Sequence, residues 1–310
     1  MSAVWNKCRE VMRSQRFARG AIASIPLGWL LLFFVVPFLI VLKLSFSEGL
    51  LAMPPYAPLF IWTREHVLSI QLHMGNYAFL FTDPLYIDSF LYSVKVAAIS
   101  TVLCLLLGYP MALGISRAPP ARRNLLLMLV ILPFWTSFLL RVYAWIGLLK
   151  DDGLINNLLI SLHLIHEPIP MVASPVAVYI GIVYSYLPFM VLPLYSNLEK
   201  HDPALLEAAA DLGAPPWKAF MRVTWPLSVP GVVAGALLVF IPAVGEYVIP
   251  SLLGPSNQLM IGRVLSDEFF ENRDWPVASA VAMLILIALL GPIIAFQRSR
   301  RRELEAEAGA

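Results

Sequence analysis

Three ionisable residues interrupt the long apolar stretches of this chain, namely Lys95, Arg141 and Glu246. A charged group within a membrane-spanning segment is energetically expensive, and such residues are functional candidates by default. Lys95 lies near the end of its stretch, where a long side chain can extend to the membrane surface. Arg141 and Glu246 are therefore the residues whose chemistry needs an explanation.

Two interpretations of Glu246 remain open. In the first, its carboxylate lines a pathway and receives an ammonium group, with Tyr247 offering a hydroxyl or an aromatic face to the cation. Pro242 and Gly245 favour this, since irregular backbone at membrane depth is tolerated where it faces protein or a water-filled cavity. In the second, Glu246 and Arg141 neutralise each other or pair with a partner subunit.

Several kinds of catalytic chemistry have no sequence basis here. No glycine is followed by lysine, so a phosphate-binding loop is absent, and neither His-Glu-x-x-His nor Gly-x-Ser-x-Gly occurs. Cys8 and Cys104 have no metal-ligand spacing, and the five histidines lie in connections without a matching partner. We expect no catalytic residues, no metal site and no cofactor held by this chain.

The composition indicates a membrane protein. Hydrophobic residues make up 59% of the 310 residues and charged residues only 14%, against about 45–50% and about 25% in soluble domains. The net charge of +2 leaves few bases for a nucleic-acid surface. Since a span needs about 20 apolar residues, we predict an all-α protein of six transmembrane helices, at 22–42, 90–115, 124–149, 174–198, 230–252 and 276–297.

The charged residues predict the orientation of these spans. The segments assigned to the inner side carry 15 Lys and Arg residues and the outer connections carry 5, so both termini are cytoplasmic by the positive-inside rule. The outer connections hold 11 acids and are net −6, a charge that concentrates cations. Counting along the third and fifth spans puts Arg141 and Glu246 at similar depth in the outer half of the membrane.

Two outer segments are candidates for binding. The aromatic run 77–81 is compatible with a short interfacial helix, a docking surface or plain packing. A later segment combines acids with a tryptophan and could guide cations or dock a binding protein, or could simply be a solvated loop. Its residues are Asp267, Glu268, Glu271, Asp274 and Trp275.

The fourth connection, residues 199–229, predicts a cytoplasmic helix–turn–helix. Asp202 can cap a helix that has Pro203 in its first position, and Gly213 suits the residue after its C-terminal end. A second short helix opens at Pro215 or Pro216, and we expect Pro226 to stop it.

This connection resembles the EAA loop of importer permeases of the ATP-binding-cassette class. The matching pattern is Glu207-Ala208-Ala209, three residues, Gly213, nine residues, Val223, and then Trp225-Pro226, where the family usually has Leu-Pro. The resemblance implies a coupling helix that docks on an ATPase subunit. It assigns this coupling role to Glu207, Ala208, Ala209 and Gly213, with Asp211 as a further contact.

Segments 187–195, 240–250, 259–265 and 272–278 are similar to polyamine-importer permeases, most of all to the putrescine-type subunit. This resemblance implies the type I importer permease fold in a bacterial cytoplasmic (inner) membrane. It also implies partners: a second homologous permease, two copies of an ATPase that holds ATP and Mg, and a soluble substrate-binding protein. The implied cargo is a cationic diamine, and Glu246, Tyr247, Arg141, Asp274 and Trp275 are the pathway candidates.

The expected organisation is a basic cytoplasmic tail at 1–21, a six-helix permease domain at 22–297 and a cytoplasmic tail at 298–310. Other importer cargo, such as spermidine, remains an alternative. A stand-alone secondary transporter and an intramembrane enzyme are less well supported, because internal repeats and catalytic motifs are not evident.

Overall fold

The computed structural model describes residues 22, 24–62 and 68–308. The predicted basic tail at 1–21 and the charged residues Arg64 and Glu65 lie outside the described residues.

Helices account for most of the described chain, as predicted. In chain order they are α1 Ser24–Ser45, α2 Gly75–Thr82, α3 Pro84–Ser116, α4 Pro120–Ile131, α5 Phe138–Leu149, α6 Leu154–Ser161, α7 Pro175–Leu198, α8 Ala204–Asp211, α9 Pro216–Val244, α10 Val248–Leu253, α11 Ile261–Phe270 and α12 Trp275–Ala308. Two three-residue strands, β1 Phe60–Trp62 and β2 Leu68–Ile70, pair antiparallel with Phe60 opposite Ile70. The sequence analysis did not predict this small hairpin.

Five helices are long and apolar enough to cross a membrane, namely α1, α3, α7, α9 and the part of α12 up to Ile294. The helices Pro120–Trp135 and Phe138–Ser161 make a sixth if this bent pair is one broken span. The prediction of a helical membrane protein is therefore confirmed, and the predicted number of six spans is reached when the bent pair counts as one. Its detailed domain boundaries stay a prediction.

The chain forms two compact units. One comprises Met1–Phe79 with Asn272–Leu284, and the other comprises Leu80–Glu271 with Ile285–Ala310. In the first unit, Asn76 of α2 donates its side-chain amide to the carbonyl oxygens of Ser45 and Ser47, at 3.0 and 2.8 Å. Tyr77 donates its hydroxyl to Ser45 Oγ at 2.9 Å. The aromatic run therefore lies on a short helix, one of the expected forms.

The second unit is built on three helices, α3, α7 and α9, which pack against one another. Their starting points follow local capping rules: Asp83 accepts the Leu85 amide before α3, and Ser174 accepts the Ala177 amide before α7. Proline occupies the first turn of both helices, where its missing amide does no harm. The buried core is formed by Cys104, Tyr109, Ala112, Ile115, Met190, Val191, Leu194, Leu198 and Val239.

The predicted start and end of the fifth span are wrong. Helix α9 runs from Pro216 through Pro226 and ends at Val244 instead of spanning 230–252. A π-helical turn at Phe220–Thr224 comes directly before Pro226 and shifts the hydrogen-bond register, so the helix continues. It ends at Val244, two residues after Pro242 and directly before Gly245, where the backbone ladder is interrupted.

The third span is not one continuous helix either. A 3₁₀ turn at Leu132–Trp135 contains Pro133, and Thr136 is extended with φ −99° and ψ 152°. The two halves consequently meet at 91°. The prediction that Arg141 and Glu246 share a depth was based on straight helices and is not supported.

We predict that Gly235→Ala destabilises this chain, because a Cβ at Gly235 would lie 2.8 Å from Met190 Sδ and 3.1 Å from the Met190 carbonyl oxygen. Overpacking of this kind costs about 1–3 kcal/mol. Gly114→Ala is the matched control, since a Cβ there meets nothing within 4 Å. Thermal unfolding in detergent measures both. Equal midpoints for the two variants would contradict the close approach of α7 and α9.

Candidate functional site

The break between α9 and α10 interrupts the membrane segments of the second unit. It consists of Gly245, Glu246 and Tyr247, and Glu246 is 7% exposed. Its Oε1 accepts the amides of Val248 and Ile249 at 3.0 and 3.3 Å. These are amides at the start of α10, which have no partner within their own helix. The carboxylate therefore caps α10 as an N-terminal aspartate or serine does.

The second carboxylate oxygen binds a neighbouring helix. Tyr186 of α7 donates its hydroxyl to Glu246 Oε2 at 2.5 Å. A hydroxyl donating to an ionised carboxylate makes a short, strong hydrogen bond. One side chain thus connects the end of α9, the start of α10 and the middle of α7.

Helix α11 closes over the same break. Gly262, in its first turn, lies so close to the carbonyl oxygens of Gly245 and Glu246 that a Cβ would collide with both. Ser93 of α3 accepts the Ile261 amide at 2.7 Å and so fixes the beginning of α11. Tyr247 differs from its neighbour Glu246, because half of its surface is exposed.

Arg141 lies on α5, and its guanidinium is stacked near two aromatic rings. Its Cζ is 5.4 Å from the ring centre of Phe134 and 5.6 Å from that of Phe138. Its Nε and Nη1 atoms are buried and have no hydrogen-bond partner within the described chain.

The structure does not pair Arg141 with Glu246. Among the described residues the ion pairs are Arg123 with Glu199 at 2.7 Å and Arg263 with Asp267 at 3.8 Å. An internal ion pair between the two intramembrane charges, one of the two interpretations from sequence, is therefore not observed.

Asp274 and Trp275 belong to the first compact unit, whereas Glu246 belongs to the second. Asp274 accepts the Val277 amide at 3.1 Å in the first turn of α12. Trp275 packs its ring 6.3 Å from that of Tyr56. Both residues thus have local structural contacts of their own.

The cytoplasmic helix–turn–helix forms largely as predicted. Asp202 accepts the Ala204 amide at 3.0 Å, and Gly213 has a φ of +74° after α8. The residues with the suggested coupling role lie on α8 and at its end: Glu207, Ala208, Ala209, Asp211 and Gly213. No residue of α8 is buried, and Leu212 is 89% exposed.

Sequence reasoning missed Tyr186 and Ser93. Both lie in apolar helices, and their hydroxyls matter only because folding brings them to residues 60 and 168 positions away. A polar group in a span was the one available signal, and it is too common to single them out.

The chain belongs to the family described as "binding-protein-dependent transport system inner membrane component", whose model matches residues 104–303. It is thus a transport subunit of the inner membrane rather than an enzyme. This membership agrees with the importer hypothesis and not with a stand-alone secondary transporter or an intramembrane enzyme.

The chain is similar to the spermidine/putrescine transport system permease protein PotB of Haemophilus influenzae, with 40% identity over 95% of this chain and 99% of that protein. PotB of Escherichia coli K12 is also 40% identical, over 88% and 94% of the two chains. A bacterial alginate ABC transporter, solved with its pentasaccharide-bound periplasmic protein, has a TM-score of 0.69 at 17% identity over 93% and 96%. This last likeness supports the fold alone.

We predict that Tyr186→Phe lowers the stability of the chain, because it leaves a buried carboxylate oxygen without its donor. The expected loss is about 1–3 kcal/mol. Tyr184→Phe, on the same helix and 36% exposed, is the matched control. Thermal unfolding of both variants, and of each combined with Glu246→Gln, measures the coupling. Strict additivity of Tyr186→Phe and Glu246→Gln would be evidence against the hydrogen bond.

Proposed function

We propose that this chain is the permease subunit of an ATP-driven importer for polyamines, with putrescine as the preferred cargo and spermidine as the alternative. The observation that carries the proposal is the 40% identity to a spermidine/putrescine permease over nearly the whole of both chains. The acidic outer connections give independent support, because a net charge of −6 attracts a diamine and repels an anion.

In the proposed mechanism, a soluble binding protein delivers the cargo to the outer side. The acidic segment around Asp274 and Trp275 is the proposed contact region for this step. ATP and Mg are bound by two copies of a separate ATPase subunit, and a second homologous permease completes the pathway. ATP binding drives the spans from inward-open to outward-open, and hydrolysis resets them.

The coupling step is proposed to act through α8. This helix presents Glu207, Ala208 and Ala209 in a segment with no buried residue, and Gly213 supplies the turn to α9. A left-handed φ of this kind is readily adopted by glycine alone. The small side chains let an ATPase surface approach the helix closely.

Helix α9 is suited to carry this motion into the membrane. It is 29 residues long, which corresponds to about 43 Å at the usual helical rise. Its first residues belong to the cytoplasmic loop, and its end lies at the Glu246 break. A displacement of α8 would therefore reach the break through one continuous helix.

A cavity beside α8 leaves room for such a displacement. It measures about 350 Å³ and lies where α8 meets the cytoplasmic ends of α3, α7 and α9. Leu205 and Leu206 of α8 line it together with Leu113 and Leu227. The Arg123–Glu199 ion pair joins α4 to the end of α7 on the same side.

Glu246 is proposed as the cargo-binding acid, with Tyr247 as its exposed aromatic neighbour. Three donors of this chain already bind the carboxylate, and Oε2 accepts only one of them, so an incoming ammonium group would bind at Oε2 beside the Tyr186 hydroxyl or in its place. Arg141 has the same sign of charge as the cargo, and we assign it a different task below.

We predict that the reconstituted complex with its binding protein raises its ATPase rate several-fold with putrescine, less with spermidine, and not with an anionic control solute. Stimulation as a function of solute concentration is the measurement. A response to the anion alone would overturn the polyamine assignment.

In the same system Glu246→Gln is expected to abolish uptake while the complex still assembles and hydrolyses ATP. Tyr186→Phe is the informative comparison, since it removes a structural contact and leaves the acid in place. Normal uptake by Glu246→Gln would exclude a cargo-binding role for this carboxylate.

We predict that the double change of Glu207 to Ala and Gly213 to Val lowers the amount of ATPase that co-purifies with the chain at least tenfold. The first change removes a contact and the second strains the turn, which costs about 1–2 kcal/mol for a residue forced into the left-handed region. Co-purification of the ATPase is the measurement, and Glu167→Ala in an outer loop is the control. Undiminished co-purification would contradict the coupling role of α8.

A further inference from the structure

The unexplained charge of this chain is Arg141. The other intramembrane charge, Glu246, has three hydrogen bonds within the chain, and Lys95 is exposed on α3. Arg141 has no acid at ion-pair distance within the described chain, and two of its nitrogens are buried without an acceptor.

The aromatic contacts do not neutralise this charge. The Arg141 Cζ atom lies 5.4 and 5.6 Å from the ring centres of Phe134 and Phe138. Such cation–π contacts attract the guanidinium weakly and leave its positive charge in place. Arginines within membrane spans almost always pair with an acidic side chain or with backbone carbonyl oxygens inside the protein bundle. The rings therefore position a group whose counter-charge comes from elsewhere.

The surface next to Arg141 is suited to a neighbouring helix. Leu140, Ala144 and Gly147 follow one face of α5 at helical spacing, and all three are exposed. A Cβ at Gly147 would meet nothing within 4 Å. Small residues on such a face permit two transmembrane helices to approach closely.

A second copy of this chain is a poor source of the counter-charge. It would bring another Arg141, and its Glu246 is 7% exposed and already bonded. Asp88, the exposed acid of α3, lies in the second turn of its helix, at the end away from the membrane interior. Asp151 and Asp152 are exposed as well, but they lie in the turn after α5 and outside the helix. An acid within a span of a chain with a different sequence is therefore the better match for Arg141.

We propose that Arg141 forms an ion pair with a carboxylate of a second, non-identical permease subunit, which packs on the Leu140–Gly147 face of α5. The inference rests on the proposed function, because it assumes that two permeases form the pathway. It also gives Arg141 a purpose in a cation importer: once paired, its charge no longer repels the cargo.

The test uses the complete complex in its native membrane. A photoreactive amino acid at Ala144, which is exposed on α5 one turn from Arg141, is expected to capture the second permease, with the linked peptide identified by mass spectrometry. That peptide should contain an Asp or Glu within one helical turn. The same probe at Leu106, 64% exposed on α3, is the positional control and should give at least fivefold less of this product.

Substitutions then test the charge itself. Arg141→Met is expected to reduce co-purification of the second permease at least tenfold while the isolated chain keeps its melting temperature. Neutralising the captured acid as well should restore co-purification at least partly. Arg263→Met, which removes a surface ion pair with Asp267, should leave assembly unchanged.

Several results would overturn the proposal. Capture of lipid alone would mean that a headgroup phosphate neutralises Arg141, and capture of a second copy would mean a homomeric contact. Rapid reaction of Arg141→Cys with a hydrophilic thiol reagent in the assembled complex would place the residue in water. Failure of polyamine uptake together with normal capture at Ala144 would instead count against the proposed cargo and leave the ion pair intact.

Discussion

The satisfaction of backbone polar groups without water is the constraint on which this structure depends. At Gly245–Tyr247 a helix stops within the apolar region, and the amides that open α10 would lack acceptors. The Glu246 carboxylate supplies them and also accepts the Tyr186 hydroxyl. Three helices therefore meet at one carboxyl side chain, and Gly262 lies close to the backbone carbonyl oxygens of Gly245 and Glu246. An acid that is costly in a membrane is tolerable here because its hydrogen bonds are made within the protein.

The same break connects the two ends of the second unit. Helix α9 begins in the cytoplasmic helix–turn–helix and ends at Glu246, so the exposed α8 and the buried acid are joined by one helix. The prolines at 226, 230 and 242 do not divide it, and a π-helical turn precedes the first of them. A continuous helix transmits displacement along its axis better than two helices joined by a loop would.

Glu246 and Arg141 differ in how far this chain satisfies their hydrogen-bonding groups. The Glu246 carboxylate is buried and accepts hydrogen bonds within the chain, whereas the Arg141 guanidinium lies near two aromatic rings and has two buried nitrogens that lack acceptors. A membrane chain that binds its buried carboxylate but leaves a buried guanidinium without acceptors does not satisfy all its polar groups by itself. That incompleteness fits a subunit of a larger assembly, in agreement with its family.

The sequence alone predicted the membrane class and the helix–turn–helix at 199–229, both of which the structure bears out, because apolar length and the spacing of proline and glycine act locally. The orientation of the spans and a transport role for Glu246 stay predictions. The sequence could not determine how the spans break. Pro226 and Pro133 carry the same local signal, yet α9 continues through the first and the third span bends by 91° at the second. Nor could it reveal that Tyr186 and Ser93 complete the site, since their partners are distant in sequence. Only tertiary packing decides these points, because it supplies the acceptors that allow a helix to end or continue inside a membrane.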